Sequence, residues 1–534
     1  MRNEISWLRL AALIFAAAFL TLVATKPLAQ SAESDQLGQV QFPTSCQPAA
    51  QPSLEKGLAL LHSFQYMQSE ITFSGAAKLD PKCAMAYWGK AMARYHQLWD
   101  FPQADTLKEG LEDIQQAQKL NAPTERERGY IAAAAAFYRD DAKLSQDERT
   151  TAYSLAMAQL HKIAPQDLEA AELYALSFVA LAEQDVDARA NRERAMAILE
   201  PIFAQHPNSP GAAHYLIHAA DTPEFVQRGL AAARGYAKIA PDSSHAIHMP
   251  SHIFARLGLW QESIASNLAA IASAEHATDM HMAESHYQTH AMDYLDYSYL
   301  QSGQESKARE LAASELNVHG SSDEDRAMHY AELAAHNALE LHRWKEAAAL
   351  EIPKVKRIDQ DTTYWVRAIG AARSGDIAGA KRDVEQLIEI VALREEHSRS
   401  EGYKVSKEKA TDLREAEAWL AFAEAKTDEA VAELTAAAER ESKEAGEHTR
   451  MPAREMLGDM YAEIKKPAEA LAAYKESLKS APNRFDSFYG AGLAARNAGH
   501  AAASQSYFAK LSAIAGPGAN RPELAEAKTY LAKK

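Results

Sequence analysis

The stretch LGDMYAEIKKPAEALAAYKESLKSAP, residues 457–482, decides the fold. Small, apolar and aromatic residues recur in it at helical spacing, and a proline closes it. The marker residues are Leu457, Gly458, Tyr461, Ala470, Tyr474 and Pro482. Together they predict one helical hairpin, which is the smallest repeating unit of the chain.

The same pattern recurs outward from this hairpin. The next unit is marked by Phe488, Gly492 and Phe508, and an early unit within residues 54–81 is marked by Gly57 and Phe73. Alanine is abundant, while glycine and proline are sparse, which favours an all-helical chain. A chain of 534 residues is too long for one small core, so a repeat fold whose core grows with length is expected.

Over most of residues 54–515 the chain resembles the tetratricopeptide-repeat proteins. The resemblance implies an all-α fold, a right-handed superhelical solenoid of tetratricopeptide-like helical hairpins. The first helix of each hairpin would line a concave groove. The chain also resembles a group of exported bacterial repeat proteins of uncertain function, which implies an architecture and no activity. The matching stretches are FPTSC at 42–46, LHSF at 61–64, CAMAYWG at 83–89 and HMPSH at 248–252.

The N-terminal segment has the features of a signal peptide, with an apolar core over residues 10–24 between Arg9 and Lys26. Cleavage is expected after Ala29, and an uncleaved anchor is the alternative. The mature protein is then expected to be periplasmic or secreted, without a stable membrane span. We divide the chain into a signal peptide (1–29), an N-terminal extension (30–53), N-terminal helical repeats (54–207), histidine-rich repeats (208–350) and C-terminal tetratricopeptide repeats (351–534).

The chain has two cysteines, Cys46 and Cys83. In an oxidising compartment such a pair favours a disulfide, which would tie the N-terminal extension to the start of a helix. Two unpaired thiols, with Cys83 buried as a small apolar residue, are the alternative.

Histidines concentrate in one part of the chain. Of the 20 histidines, fourteen lie from His206 to His342. Four segments there carry histidines and carboxylates three or four residues apart. Residues with this spacing lie on one face of a helix. The residues predicted to bind a metal are His214, His218, His245, His248, His252 and His290. The residues predicted to orient those ligands are Asp221, His286, Asp293, His329, Glu332 and His336.

The tetratricopeptide resemblance implies that most of these side chains face the groove. Imidazole and carboxylate are ligands for zinc, copper or iron, so one of these metals is the expected cofactor. The ligands expected nearest the ion are His214, His218, His248 and His252. Pro250 predicts a kink or a fresh helix start. After a fresh start, His245 and His248 would no longer share a face with His252.

Several function classes are excluded or ranked lower. The net charge of −16 argues against nonspecific nucleic-acid binding. No Gly-rich phosphate loop, zincin motif or nucleophile elbow occurs, so no nucleotide cofactor is expected and a binding scaffold ranks above an enzyme. The alternatives are a metal-free scaffold for a peptide or protein in the groove, a hydrogen-bonded histidine network, and a metal-dependent hydrolase or oxidase. In the last repeats, Glu455, Asp459 and Glu463 predict an acidic groove for a basic partner.

Overall fold

The structure is a computed structural model that describes residues 36–139, 143–279, 285–442 and 449–533. The predicted signal peptide, residues 1–29, lies outside the described residues. Leu37–Lys534 form one compact unit.

The described residues form helices and contain no strand. The helices of the first half are α1 Gln51–His62, α2 Tyr66–Leu79, α3 Ala84–Arg94, α4 Ala104–Leu120, α5 Glu125–Tyr138, α6 Gln146–Ile163, α7 Leu168–Glu183, α8 Ala188–Gln205, α9 Pro210–Ala220, α10 Val226–Ile239, α11 Ser244–His248, α12 Pro250–Leu257 and α13 Trp260–Asp279. Those of the second half are α14 His286–Gln301, α15 Glu305–Ser314, α16 Asp323–Glu340, α17 Trp344–Ala348, α18 Asp361–Ser374, α19 Ile377–Ser400, α20 Thr411–Ala423, α21 Thr427–Glu441, α22 Ala453–Glu463, α23 Pro467–Ser480, α24 Phe485–Asn497, α25 Ala501–Ile514 and α26 Pro522–Ala532. Two short 3₁₀ helices cover Glu315–Asn317 and Arg357–Gln360.

Helices adjacent in sequence pack against each other along the chain, which makes a row of hairpins. The first helices of successive hairpins also pack side by side, as α7 does on α9, α16 on α18 and α18 on α20. This arrangement confirms the predicted all-α solenoid of tetratricopeptide-like hairpins. No described helix is long and apolar enough to cross a membrane.

The hairpin at residues 457–482 shows why its marker residues are needed. Tyr474 on α23 packs directly over Gly458 on α22, where an added Cβ would lie 2.7 Å from the Tyr474 ring. The same ring faces Gly490 on α24, where an added Cβ would lie 2.3 Å away. Glycine therefore lets one aromatic ring pack between three helices, which fixes the spacing of the repeat.

Distant parts of the solenoid meet around the histidine-rich repeats. Helix α1 packs on α9, and α14 packs on α24. The Trp260 indole N–H donates to the backbone oxygen of Asn483 at 2.8 Å, and the Phe485 N–H donates to Gln301 Oε1 at 3.1 Å. These contacts bring helices that are distant in the sequence against α9 and α14.

The N-terminal extension is held against the first repeats. Cys46 and Cys83 form a disulfide with a Cα–Cα distance of 4.9 Å, and Cys83 directly precedes α3. Phe42 is fully buried and contacts the rings of Trp88 and Tyr130. The extension is thus part of the core rather than a free arm.

Candidate metal centre

Six histidines from four helices gather into two groups of three. The first triad is His214, His218 and His245, and the second triad is His248, His252 and His290. Within each triad, one ring nitrogen of each histidine lies within 4.8 Å of the other two. Five of the six side chains are buried and His290 is half-buried. The set expected nearest one ion, His214, His218, His248 and His252, is therefore divided between two triads.

A break between α11 and α12 produces this grouping. Helix α11 ends at His248 and α12 begins at Pro250, which lacks the N–H needed to continue the helix. Met249 between them keeps right-handed helical angles, with φ −50° and ψ −33°. His248 and His252 therefore still face each other across the break, contrary to the expectation, while His245 joins the helix α9 residues.

In the first triad, the His214 Nε2 atom lies 3.1 Å from the Nε2 atoms of both His218 and His245. The other ring nitrogen, His214 Nδ1, lies 2.6 Å from the backbone oxygen of His62. A carbonyl oxygen only accepts, so Nδ1 carries the hydrogen. In the neutral ring, the Nε2 lone pair of His214 therefore points at two other nitrogens.

In the second triad, both Nδ1 atoms have acceptors. His248 Nδ1 donates to Asn267 Oδ1 at 2.8 Å, and the amide nitrogen of Asn267 donates to the Ser263 oxygen at 3.0 Å, which sets the amide orientation. His252 Nδ1 donates to Asp221 Oδ2 at 3.0 Å. The Nε2 atoms of His248 and His252 lie 3.1 Å apart. With both rings neutral, two lone pairs face each other with no hydrogen between them.

The electrostatic setting favours neutral rings. Burial lowers the pKa of His214 to about 3, and burial together with neighbouring histidines lowers the pKa of His218, His245 and His248 well below the usual value. Burial alone would raise the pKa of Asp221, but its contacts with Arg256 and His252 hold it well below the usual range. His214, His218, His245 and His248 are thus favoured as neutral imidazoles, the form in which histidine binds metals, and the Asp221 carboxylate lies behind the second triad.

Aromatic rings enclose the triads. The Phe64 ring centroid lies 4.4 Å from that of His214, and the Trp99 centroid lies 5.6 Å from that of His218. Tyr294 covers the second triad, with its centroid 4.5 Å from that of His252. These rings limit the access of water, which strengthens any charge interaction inside.

The residues predicted to orient the ligands lie at different distances from the triads. Asp221 contacts His252 directly and also accepts from Arg256. His286 lies at the start of α14 against the Tyr287 ring. Asp293 is half-buried on α14, beyond His290.

The three remaining predicted residues lie on α16. His329 has a ring nitrogen 3.5 Å from Glu332, and His336 packs near the Trp365 ring. Among the described residues, no potential metal-binding group of three includes any of them. Helical spacing alone therefore does not distinguish this stripe from those that form the triads.

One buried group was missed by the sequence argument. His62, Glu169 and Glu172 come together beside the first triad, with His62 Nε2 at 2.7 Å from Glu169 and 3.8 Å from Glu172. Burial and Glu169 raise the pKa of Glu172 to about 8. Glu169 and Glu172 lie 107 or more residues after His62, so only the packing of α1 on α7 and α9 could reveal the group. Asn267, on the second helix of its hairpin, carries no sequence signal either.

The predicted acidic groove of the last repeats is corrected by the structure. Glu455 is buried and pairs with Arg484 at 2.7 Å, which also binds Glu340 at 2.7 Å. Asp459 accepts from the Tyr474 hydroxyl, and Glu463 pairs with Arg373. The chain's own residues therefore pair with these carboxylates, and Arg484, which directly precedes α24, fills space that the sequence argument left open.

Comparisons with known proteins find distant similarity to solved structures. No protein-family model and no curated protein matches the chain. Among solved structures, the human IFIT1 dimer with PPP-AAAA is 12% identical with a TM-score of 0.36, covering 86% of this chain and 95% of that chain. The Cut9–Hcn1 hetero-tetramer of the APC/C is 13% identical with a TM-score of 0.29, covering 90% of this chain and 95% of that chain. Both contain tetratricopeptide repeats.

Proposed function

We propose that the chain is a helical-repeat scaffold that binds transition metal ions at its two histidine triads. The observation that carries the proposal is the pair His248 and His252. Each donates its Nδ1 hydrogen to a fixed acceptor, so their Nε2 lone pairs converge 3.1 Å apart. Such a pair repels unless a proton or a cation lies between the nitrogens, and bonds of about 2.0–2.1 Å from each nitrogen to one metal ion suit that spacing.

The first triad supports the same function independently. Hydrogen bonds between the rings do not account for it, because the single Nε2 lone pair of His214 faces two nitrogens at 3.1 Å. One N–H could point along that lone pair, and the second nitrogen would be left over. A cation that accepts one lone pair from each ring accommodates all three.

The ligand set favours copper or zinc. Imidazole suits zinc, copper, iron and nickel, whereas mononuclear non-haem iron commonly adds a carboxylate to two histidines. In the described residues, each triad consists of nitrogens alone. The burial of these side chains favours an ion over a peptide lying against them. The disulfide fits an oxidising compartment, which supports the proposed export.

Metal analysis of the purified chain tests the proposal. Protein loaded with copper or zinc and then passed through a desalting column should keep the metal, as measured by mass spectrometry of the elements. Substitution of a triad member, His214→Ala or His248→Ala, should reduce the bound metal. His336→Ala is the matched control, because this half-buried histidine belongs to neither triad. A wild-type chain that retains no metal, or equal loss in the control, would overturn the proposal.

A further inference from the structure

The two triads are close enough to act on one another. The ring centroids of His218 and His252 lie 6.4 Å apart, as do those of His245 and His248. Within the first triad, the His218 and His245 centroids lie 6.5 Å apart. The gap between the triads is therefore no wider than the spread of rings inside one of them.

The same short elements build both triads. Helix α11 carries His245 into the first triad and His248 into the second, one helical turn later. Asp221 directly follows α9, which supplies His214 and His218, yet it binds His252 of the second triad. Neither triad can move far without the other, so their separation is set by packed helices rather than by loops.

Among the described residues, each triad offers three potential ligands to an ion. Three protein ligands with an open position are typical of sites where a metal takes an exchangeable ligand, whereas structural sites are filled by four side chains. Two such ions side by side can share a small ligand between them, as in two-metal sites with ions about 3.5–4 Å apart. A cavity of about 330 Å³ lined by Phe64, Trp99 and Tyr287 adjoins the first triad.

From this juxtaposition we propose that the triads form a single coupled dinuclear centre. Two copper(II) ions are each held by three imidazoles and joined by a small exogenous bridge such as hydroxide. This inference rests on the proposed function, because it requires that each triad binds metal. It goes further because it assigns the two ions a shared ligand, through which their unpaired electron spins would couple.

Copper loading with electron paramagnetic resonance tests the coupling. The full chain is loaded with copper(II) in air, and the copper content is measured separately from the spin signal. We expect two copper ions per chain and a native spin signal far below the copper content. Acid denaturation under argon should restore the signal, which excludes copper(I) as the reason for its absence.

Variants separate this proposal from the preceding one. His290→Ala alters the half-buried member of the second triad and His245→Ala alters the first, and circular dichroism checks that both fold. Each should retain one copper ion with a full spin signal. Two bound copper ions with a full signal in the native chain would overturn the coupling and leave metal binding intact. One ion per native chain would overturn the pairing, and none would overturn both proposals.

Discussion

The histidine triads and the cluster around Arg484 are both polar groups buried where first helices meet, but their internal balance differs. In the Arg484 cluster, the guanidinium donates to Glu340, Glu455 and the Tyr297 hydroxyl. In the triads, histidine ring nitrogens face other histidine ring nitrogens at 3.1 Å. Carboxylates of the chain itself match the charge of Arg484, whereas the proposed function places a metal ion between the triad nitrogens. Under the proposed function, this difference separates a structural network from a binding site.

The largest effect is expected from removing the central charge of the Arg484 cluster. Arg484→Ala leaves Glu340 and Glu455 buried without their partner, and should lower the free energy of unfolding by about 3–5 kcal/mol, as broken buried pairs do. Urea unfolding measures this loss. The matched control is Arg228→Ala, which removes an exposed pair with Glu200 and should cost at most about 1 kcal/mol. A similar loss of unfolding free energy in both variants would show that the buried Arg484 cluster stabilises the fold no more than an exposed ion pair does.

Metal should stabilise the chain through the triads. A ligand that binds only the folded state at a free concentration of 100 times its Kd adds about 2.7 kcal/mol to stability. Thermal unfolding with copper or zinc, compared with chelator, measures this gain. The double variant His214→Ala/His248→Ala should lose the gain while His336→Ala keeps it. A gain that persists in the double variant would place the metal elsewhere.

The carboxylate behind the second triad should tune its affinity. Asp221→Asn retains the shape of the side chain but removes the charge beside His252, and loss of such a partner typically weakens metal binding about 10–100-fold. Competition titration with a coloured chelator reports the Kd. Asp459→Asn, which alters a carboxylate far along the chain near Tyr474, should leave the Kd unchanged. Equal affinities in both variants would show that Asp221 serves the fold alone.

The smallest change in stability is expected at Glu315, a buried carboxyl that belongs neither to the triads nor to the Arg484 cluster. Glu315 has no exposed surface, and burial raises its pKa to about 7, with His329 opposing and Glu332 adding to the shift. The folded state thus holds a proton that the unfolded state releases above its ordinary pKa of 4.5. Stability should therefore be full at low pH and fall as pH rises from 4.5 through about 7.

The substitution Glu315→Gln should remove this dependence and stabilise the chain by about 1–2 kcal/mol at pH 8, with little effect at pH 5. The comparison of melting temperatures at the two pH values measures it. Glu310→Gln at an exposed position is the control, and it should change the melting temperature little, as surface substitutions usually do. A uniform shift at both pH values would mean that Glu315 is ionised in the folded chain.

Much of the fold could be predicted because its signals are local. Gly458 and Tyr474 lie within one hairpin, and their spacing reflects a contact between two helices joined by a short turn. Ser209 caps α9 by accepting from the Ala212 N–H, a contact between residues three apart in the sequence. The candidate ligands His214 and His218 could be put on one face because a helix fixes the direction of residues four apart.

The grouping of the histidines could not be read from spacing. The stripe with His329 and His336 follows the same rule as the triads, yet its neighbours are Glu332 and Trp365. The division of His245 from His248 depends on how α11 and α12 pack after the break at Pro250. Contacts between helices decide which histidines group together, and the spacing of residues along one helix does not predict those contacts.

By itself, the sequence determined the helical hairpins, their order and the residue types on each inner face, since these follow from backbone geometry within short segments. Only the tertiary structure decided which polar groups are satisfied. The acceptor for His214 comes from a residue 152 positions away, and Arg484 reaches Glu340 across 144 positions. A buried polar atom without a hydrogen-bond partner is costly. The partners of these atoms come from distant parts of the sequence, which meet only when the helices pack in the folded chain.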